Sequence, residues 1–491
     1  MTDRLKTFLT QCVCITLFGL TGCLSEQSFE VSPERIHQVK SAEPASKHAN
    51  PLPSNPPTRK WMTETHAKMS SLLPSPSKPA LLTEQNRAAD GRTINVYDHF
   101  GIQKEGLRTL LGNLDGITCT AQSASRASYI DTPPPPWDGF EEILVPIDDR
   151  FELSGRIGYA KRNGEILKTD CIVILPGLFG DNGVQRTRDM AEYLQAAGFH
   201  VLALEVRAHG QTEKRHPELY HTWGVLEADD LMHVSDWLEA MPEVSRTGLM
   251  GYCWGANIAL STSWYDAVGP QEPLFSDRIR QELTAPHGPR RFRAGIILFS
   301  PILGWERLRD ELETPRGSLS DPVYHAIQET IRNRMIRKGY ENPSGSLQQL
   351  IQEEFDHCGV PLPNGVDEAF VLVRFLPYKN KKFYDKLSKV RTPLLFVHGA
   401  NDPLSPAQEI ADLVATTDNP NVASVILPGG GHVGFAAYAK EYYFGLVARF
   451  FDPQTGPSAF GATASPAMPA VDSSVSPSAN HAPAATACRR Q

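Results

Sequence analysis

The sequence predicts an α/β fold in which a mostly parallel central sheet is flanked by helices and carries a helical cap insertion. Three observations support this prediction. Short apolar runs alternate with helical segments through the middle of the chain, as in folds that place helices on both faces of a sheet. Several of these runs are apolar throughout, as buried parallel strands are. A long stretch without strand signals separates two of the later runs.

Eight strands are expected from these runs, each bounded by turn residues or by a helical stripe. In chain order they are Phe140–Val145, Glu152–Tyr159, Cys171–Leu175, Phe199–Val206, Thr247–Met250, Phe292–Phe299, Pro393–Val397 and Ala423–Leu427. Between them the apolar residues recur at helical spacing. One such helix places Met190 and Leu194 on a single face and ends at Gly198.

The stretch without strand signals covers residues 304–385 and is interpreted as a helical insertion. It contains two apolar stripes of helical period, and Asp321 followed by Pro322 is a favoured helix start. Because it follows a strand of the sheet, the insertion is expected to cover the mouth of a site there and to control access. A packing excursion without functional role is the alternative.

The first 22 residues have the features of a signal peptide. Arg4 and Lys6 precede an apolar run over Phe8–Leu20 that is too short to span a bilayer comfortably. The run ends in Leu-Thr-Gly-Cys, which resembles the lipobox of bacterial lipoproteins, and this resemblance implies that Cys23 is lipidated. We therefore expect an exported protein that is anchored to a membrane of the cell envelope. The sequence does not distinguish the inner from the outer membrane. An uncleaved signal anchor or a chance cysteine is the alternative.

Composition divides the remaining chain into four parts. Residues 23–92 are rich in Pro and Ser and are expected to form a disordered tether. Residues 93–138 form an N-terminal extension, and residues 139–452 form the single large folded domain. Residues 453–491 are rich in Ala, Ser and Pro and are expected to be disordered.

Charge and residue clustering exclude several function classes. The net charge is −8, and no basic run is interleaved with aromatic residues, so nucleic-acid binding is not expected. The sequence contains neither a metal-ligand cluster nor a glycine-rich phosphate loop, and we expect no cofactor and no metal. Of the eight cysteines, Cys119, Cys171 and Cys358 are the plausible disulfide partners, and their pairing is left open.

A glycine-framed cysteine provides the strongest catalytic signal. The residues Gly-Tyr-Cys-Trp-Gly, centred on Cys253, lie between an apolar strand and the start of a helix. This is the Gly-x-Ser-x-Gly nucleophile elbow with sulfur in place of oxygen, and its glycines allow a strained turn that exposes the nucleophile. A thiol at a helix N-terminus or beside an imidazolium has a lowered pKa and can attack as a thiolate. The alternative is a buried, inert cysteine.

Two later loops supply the partners of this nucleophile. His432 follows a strand in a glycine-rich loop, and Asp402 follows an earlier strand. Elbows of this kind have the chain order nucleophile, acid, histidine, which favours His432 over His398, His209 and His221 as the general base. An acid at Asp402 would orient the imidazole and stabilise its charged form.

The oxyanion that forms during acyl transfer requires two backbone donors. One is expected to be the amide of Trp254, directly after the nucleophile. The other is expected in the loop of residues 176–180, with Leu178 preferred over Phe179.

Residues 139–452 resemble the α/β-hydrolase superfamily. The Gly-Tyr-Cys elbow, with the loops 399–403 and 431–435, is similar to dienelactone hydrolases, which lack an insertion like residues 304–385. The length and the loop 176–178 resemble a larger group of hydrolases that normally keep serine at the elbow. The polyhydroxyalkanoate synthases also use a cysteine elbow, but their coenzyme A thioesters are cytosolic, whereas the lipobox implies export.

These features predict a carboxylic-ester hydrolase that acts through a Cys-His-Asp triad and an acyl-enzyme. A small molecule with an ester, lactone or thioester bond is the expected substrate. Two alternatives remain open: an acyltransferase of the synthase type, and a non-catalytic scaffold of the cell envelope that retains the fold.

Overall fold

A computed structural model of the chain describes the residues that form its sheet, its helices and most of their connections. The described residues are 43–44, 58–73, 80–82, parts of 112–130, 133–288, 290–314, 322–360, 366–377, 382–427 and 429–458. The signal peptide, Cys23 and residues 459–491 lie outside the described residues, so the expectations for them are not addressed by the fold.

A nine-stranded sheet forms the centre of the molecule. Its strands in chain order are β1 Ala80–Leu82, β2 Glu141–Ile147, β3 Phe151–Gly158, β4 Thr169–Leu175, β5 His200–Glu205, β6 Val244–Tyr252, β7 Gly295–Phe299, β8 Leu394–Gly399 and β9 Val422–Leu427. Their spatial order is β1-β9-β8-β7-β6-β4-β5-β3-β2. The six adjacent strands β9-β8-β7-β6-β4-β5 are all parallel to one another. Strand β1 pairs antiparallel with β9, and β3 pairs antiparallel with both β5 and β2. The prediction of a mostly parallel sheet and the eight expected strands is confirmed.

Helices cover both faces of the sheet. They are α1 Thr58–Met69, α2 Gln185–Ala196, α3 Gly210–Arg215, α4 Leu226–Glu239, α5 Trp254–Val268, α6 Asp277–Glu282, α7 Trp305–Glu313, α8 Pro322–Lys338, α9 Leu347–His357, α10 Val366–Val373, α11 Ala407–Thr416 and α12 Phe435–Phe451. The side chains of β7, β8 and β9 are buried along their whole length, because helices pack against both of their faces. The buried apolar side chains form two hydrophobic core clusters, one on each side of the sheet.

The helical cap insertion is present as expected. Helices α7 to α10 lie between β7 and β8, within residues 304–385. Ser346 caps α9 by accepting a hydrogen bond from the backbone N–H of Gln349. Arg334 of α8 joins the cap to the sheet domain, because its guanidinium contacts Glu213 of α3 as well as Glu354 of α9. The insertion therefore belongs to the same packed body as the sheet.

The prediction of a disordered tether is wrong for residues 58–73. Helix α1 packs against the sheet edge with Trp61 only 4% exposed. Arg59 donates hydrogen bonds to the carbonyls of Val422, Val414 and Thr417. The apolar stripe of α1 is short and is surrounded by Pro and Ser, so composition concealed a helix whose stability depends on tertiary contacts.

Two further segments depart from the expected boundaries. Strand β1, also inside the predicted tether, pairs antiparallel with β9 and forms one edge of the sheet. At the other end, residues 453–458 continue from α12 and are held in place, since Trp61 donates to the carbonyl of Thr455 and Arg246 donates to Ser458. The folded domain therefore uses chain from both of the segments that were expected to be disordered.

Candidate active site

Cys253 occupies a sharp turn at the carboxyl end of β6. Its backbone has φ 53° and ψ −119°, a conformation that non-glycine residues rarely adopt. The flanking glycines make this turn possible, because a Cβ at Gly251 would overlap the carbonyl of Gly255, and one at Gly255 would overlap the carbonyl of Pro176. The Cys253 backbone N–H donates to the carbonyl of Phe299 at 2.9 Å, which fixes the turn to the neighbouring strand.

His432 and Asp402 are brought together at the same edge of the sheet. The imidazole Nδ1 lies 2.9 Å from one carboxylate oxygen of Asp402 and 3.1 Å from the other. Asp402 is held in turn by the backbone N–H groups of Leu404 and Ser405, at 2.9 and 3.1 Å. The carboxylate therefore orients the ring and leaves Nε2 as the free nitrogen. Nε2 is buried and has no nitrogen or oxygen partner among the described residues.

Cys253 and His432 shift each other's ionisation. Burial opposes ionisation of the Cys253 thiol, but the charge and hydrogen bonding of His432, aided by the Trp254 backbone N–H, lower its pKa. Burial also opposes the charged imidazole, yet Asp402 and Cys253 together raise the pKa of His432 to about 10. At Asp402, burial is likewise outweighed by His432, and the pKa of the carboxyl is lowered. These directions favour a thiolate beside an imidazolium.

The loop that follows β4, residues 176–180 and here named the oxyanion loop for its expected role, lies next to the elbow. A Cβ at Gly177 would lie 3.4 Å from the Cβ of Cys253. The backbone N–H of Phe179 donates to Nε2 of His209 at 2.9 Å, so this donor is already occupied. Among the described residues Leu178 has no such acceptor for its amide. The geometry thus favours Leu178 over Phe179 as a donor to a bound oxyanion.

The fold agrees with a match between this sequence and a known protein family. A family model described as the Alpha/beta hydrolase family matches residues 172–443. The chain belongs to the alpha/beta hydrolase family. Similar solved structures include an esterase of Pyrococcus furiosus, with 16% identity over 66% of this chain and 100% of that chain and a TM-score of 0.40. Another is the 2,6-dihydroxy-pseudo-oxynicotine hydrolase, with 13% identity over 72% of this chain and 84% of that chain and a TM-score of 0.43.

The cavity of this hydrolase opens beside Cys253 and is enclosed largely by apolar side chains. It has a volume of about 80 Å³. The cap contributes Leu308, Leu312, Ile327 and Leu347 to its wall, so the insertion covers the site rather than packing elsewhere. A ligand in this cavity would be surrounded mainly by hydrocarbon, with few polar groups to orient it.

The N-terminal extension also contributes to the site. Cys119 and Ser123 line the cavity, and a Cβ at Gly116 would overlap the carbonyl of His432. Sequence reasoning assigned no function to this extension, because it carries no motif and its contacts are remote in sequence. Arg126 fixes one end of it through an ion pair of 2.7 Å with Asp181, which follows the oxyanion loop.

The other histidines considered as the base are buried away from this role, and His221 lies with its Nδ1 2.9 Å from a carboxylate oxygen of Glu227. His209 is buried and neutral, since burial and the nearby His221 lower its pKa to about 3. Its Nδ1 bonds to the carbonyl of Arg207 while Nε2 accepts from Phe179. His398 is buried beneath Asp402, with Nε2 bonded to the carbonyl of Ser405.

The described residues show the state of their cysteines and the spacing of potential metal ligands. Cys119, Cys171, Cys253 and Cys358 are all free thiols there. Within the same residues, no group of three or more His, Cys, Asp or Glu side chains is placed to hold a metal ion. A search of the described helices for one long and apolar enough to cross a membrane finds none.

Proposed function

We propose that this hydrolase cleaves carboxylic esters, including lactones and thioesters, with Cys253 as nucleophile, His432 as general acid and base, and Asp402 as the orienting acid. The observation that carries the proposal is the pairing of His432 with Asp402 at 2.9 Å, combined with the mutual pKa shifts of His432 and Cys253 at the strained elbow. Perturbed ionisable groups of this kind concentrate at catalytic sites.

The reaction begins with attack of the Cys253 sulfur on the carbonyl carbon, which forms a tetrahedral oxyanion. The amides of Trp254 and Leu178 bind this oxyanion, and donors of this type contribute about 10² to 10³ in rate. The His432 imidazolium gives its proton to the leaving alcohol or thiol, and the C–O or C–S bond breaks. An acyl-thioenzyme and neutral His432 remain.

Water completes the cycle. Neutral His432 removes a proton from a water molecule that attacks the thioester carbonyl, and the amides stabilise the second oxyanion. Collapse of this intermediate releases the carboxylic acid and returns the sulfur to its thiolate form. Asp402 stabilises the charged ring during both steps without changing its own protonation.

Export and membrane anchoring complete the proposal. The signal-like N-terminus and the lipobox at Cys23 support the proposal that an N-terminal lipid holds the protein at a membrane of the cell envelope. The enzyme would then act on ester-bearing small molecules outside the cytoplasm. Metabolic labelling with a fatty acid analogue, compared between the wild type and Cys23→Ala, tests this part separately.

Turnover of short aryl esters by the purified full chain tests the chemistry. Cys253→Ala and His432→Ala are expected to lose turnover by at least about 10³-fold, as expected for removal of members of a triad that act as a unit. Cys253→Ser is expected to restore part of the rate. The exposed His325 of the cap serves as the matched control, and His325→Ala should retain full activity. Unchanged rates in both triad alanine variants would refute the assignment.

An acyl adduct gives a second measurement. After incubation with an ester panel and acid quenching, mass spectrometry should find the acyl group on the peptide that contains Cys253. Its absence in the wild type, under conditions where product accumulates, would contradict the covalent mechanism.

A further inference from the structure

A buried arginine lines the cavity next to the nucleophile. Arg186 is the second residue of α2 and is only 8% exposed. Its guanidinium carbon lies 4.2 Å from the centre of the Tyr252 ring, and Tyr252 directly precedes Cys253. Arg186 and Cys253 both contribute to the wall of the same cavity. A positive charge therefore borders the space in which a substrate would bind.

Among the described residues, no acidic side chain forms an ion pair with the guanidinium. Its Nε and Nη1 atoms are buried and lack a hydrogen-bonding partner among the described residues. Its polar neighbour is the thiol of Cys119, whose pKa is raised by burial, so this neighbour is uncharged at neutral pH. Asp115 and Asp189 interact with Arg186 only through longer-range charge effects, and neither forms an ion pair with it in the described structure.

Two other buried arginines, Arg207 and Arg334, form ion pairs with acidic side chains. Arg207 is paired with Asp230 through two nitrogens, and Arg334 is paired with Glu354 and Glu213. Pairing is the usual condition for burying a charge, since an uncompensated buried ion strongly destabilises the folded state. Arg186 thus has N–H donors that the protein itself does not use.

We propose that Arg186 binds a carboxylate of the substrate, so that the compound cleaved at Cys253 carries a free acid group in addition to its ester. This inference rests on the ester hydrolysis proposed above and specifies its substrate class. The planar guanidinium matches a carboxylate through two parallel N–H donors. The apolar wall from the cap encloses the hydrocarbon part of the same molecule. Arg186 supplies one positive charge that no acidic side chain pairs among the described residues, whereas the charged ring of His432 is paired with Asp402. One such charge suits a monoanion better than a phosphate dianion.

Arg186 has one competing role, which is to stabilise the thiolate of Cys253 by its charge. The two roles predict different results. An arginine that acts on the thiolate would affect every substrate equally, through kcat. An arginine that binds a carboxylate would affect acidic substrates selectively, mainly through KM.

Matched esters separate these roles in the full chain. Monomethyl esters of straight-chain dicarboxylic acids, from succinate to suberate, are compared with neutral methyl esters in which an isopropyl group replaces the carboxylate. The wild type is expected to prefer the acidic member of each matched pair at the best chain length. In Arg186→Met the ratio of kcat/KM for acidic over neutral ester should fall by about 30-fold or more, the usual effect of removing one member of a buried charge pair.

Two variants control this comparison. Arg188 lies two residues further along the same helix, is partly exposed and pairs with Glu192, so Arg188→Met should leave the preference unchanged. Arg186→Lys keeps the charge but loses the planar fork, and it should retain part of the preference. It also provides the measurement if Arg186→Met fails to fold.

A binding measurement makes the result independent of turnover. Hexanoate should slow the alkylation of Cys253 by the neutral reagent iodoacetamide in the wild type but not in Arg186→Met, while 1-hexanol should protect neither. If no ester is cleaved yet hexanoate protects in this manner, ester hydrolysis fails and the carboxylate subsite stands. If both ester classes are cleaved with equal preference and Arg186→Met slows them equally, the subsite is overturned.

Discussion

The electrostatics of Cys253 predict a pH dependence of alkylation that an ordinary thiol does not show. Only the thiolate reacts, and a free cysteine with a pKa of about 8.5 is roughly 3% ionised at pH 7. The pKa of Cys253 is lowered, because His432 and the Trp254 backbone N–H outweigh the effect of burial. The alkylation rate of Cys253 should therefore reach half its maximum below about pH 8.5, and it should fall as the pH drops through this lowered pKa.

The size of the effect follows from the charge on His432. The rise in its pKa from 6.5 to about 10 corresponds to about 5 kcal/mol in favour of the charged ring, contributed chiefly by Asp402 and Cys253. A contribution of only about 1.4 kcal/mol from the thiolate corresponds to one pH unit. Since this interaction is mutual, His432→Ala should move the half-maximum of Cys253 alkylation upward by at least about one pH unit.

Asp402→Asn tests the same interaction from the other side. Without the carboxylate, only Cys253 remains to oppose burial, so the pKa of His432 should fall and the ring should be neutral over a larger part of the pH range. The thiolate then loses its cationic partner. The half-maximum of alkylation should again move to higher pH, and ester turnover should fall by an amount on the order of the 10⁴ known for the corresponding serine-triad change.

Iodoacetamide labelling between pH 4 and 10 provides the assay, with mass spectrometry of each cysteine peptide. Cys171 and Cys358 serve as internal comparators, because burial raises the pKa of both thiols. They should remain unlabelled at neutral pH while Cys253 reacts. A wild-type half-maximum at or above pH 8.5 that His432→Ala leaves in place would refute the ion-pair reasoning, even if the enzyme proved active.

Three further predictions concern the framework of the site. Gly255→Ala should abolish turnover, because the added Cβ overlaps the oxyanion loop, whereas Gly288→Ala adds a Cβ in open space and should retain turnover. Arg334→Met leaves the buried carboxylate of Glu354 without its arginine, whereas Glu213 keeps its ion pair with Arg337. The change should reduce the free energy of unfolding by about 3–5 kcal/mol, seen as a lower melting temperature that the exposed Arg332→Met does not reproduce. Trp61→Ala should cost about 3–5 kcal/mol in denaturant unfolding, and an unchanged midpoint would mean that α1 contributes no stability.

The parts of the fold that sequence could predict are those whose signals are local. Strands β4 to β9 each contain an apolar run with turn residues nearby, and burial on both faces makes such runs continuous. Strands β2 and β3 mix apolar and polar residues. The cap was visible because its stripes have the helical period over many residues. Helix α1 was not predicted, since its burial depends on partners such as Val422 that lie more than 350 residues away. Composition around it indicated disorder, and only the tertiary contacts override that signal.

The candidate site shows the same division. Cys253, Asp402 and His432 each carry a local motif, so the sequence could propose them, and the structure places them at one edge of the sheet. Arg186 carried no motif. Its position four residues before Met190 continues the buried stripe of α2, and an arginine at a buried helical position would have indicated an unusual charge.

The choice between Leu178 and Phe179 shows why such details require the folded structure. The Phe179 amide is taken by His209, and His209 can accept this bond only because burial keeps it neutral. The Phe179 ring in turn lies 5.1 Å from the guanidinium carbon of Arg334, which joins the cap to the sheet domain. Phe179 is thus held through its backbone by the neutral His209 and through its ring by Arg334 of the cap. We therefore expect that a cap that moved away would loosen the loop that presents Leu178, and that packing of the cap would in this way affect binding of the oxyanion by the proposed donor.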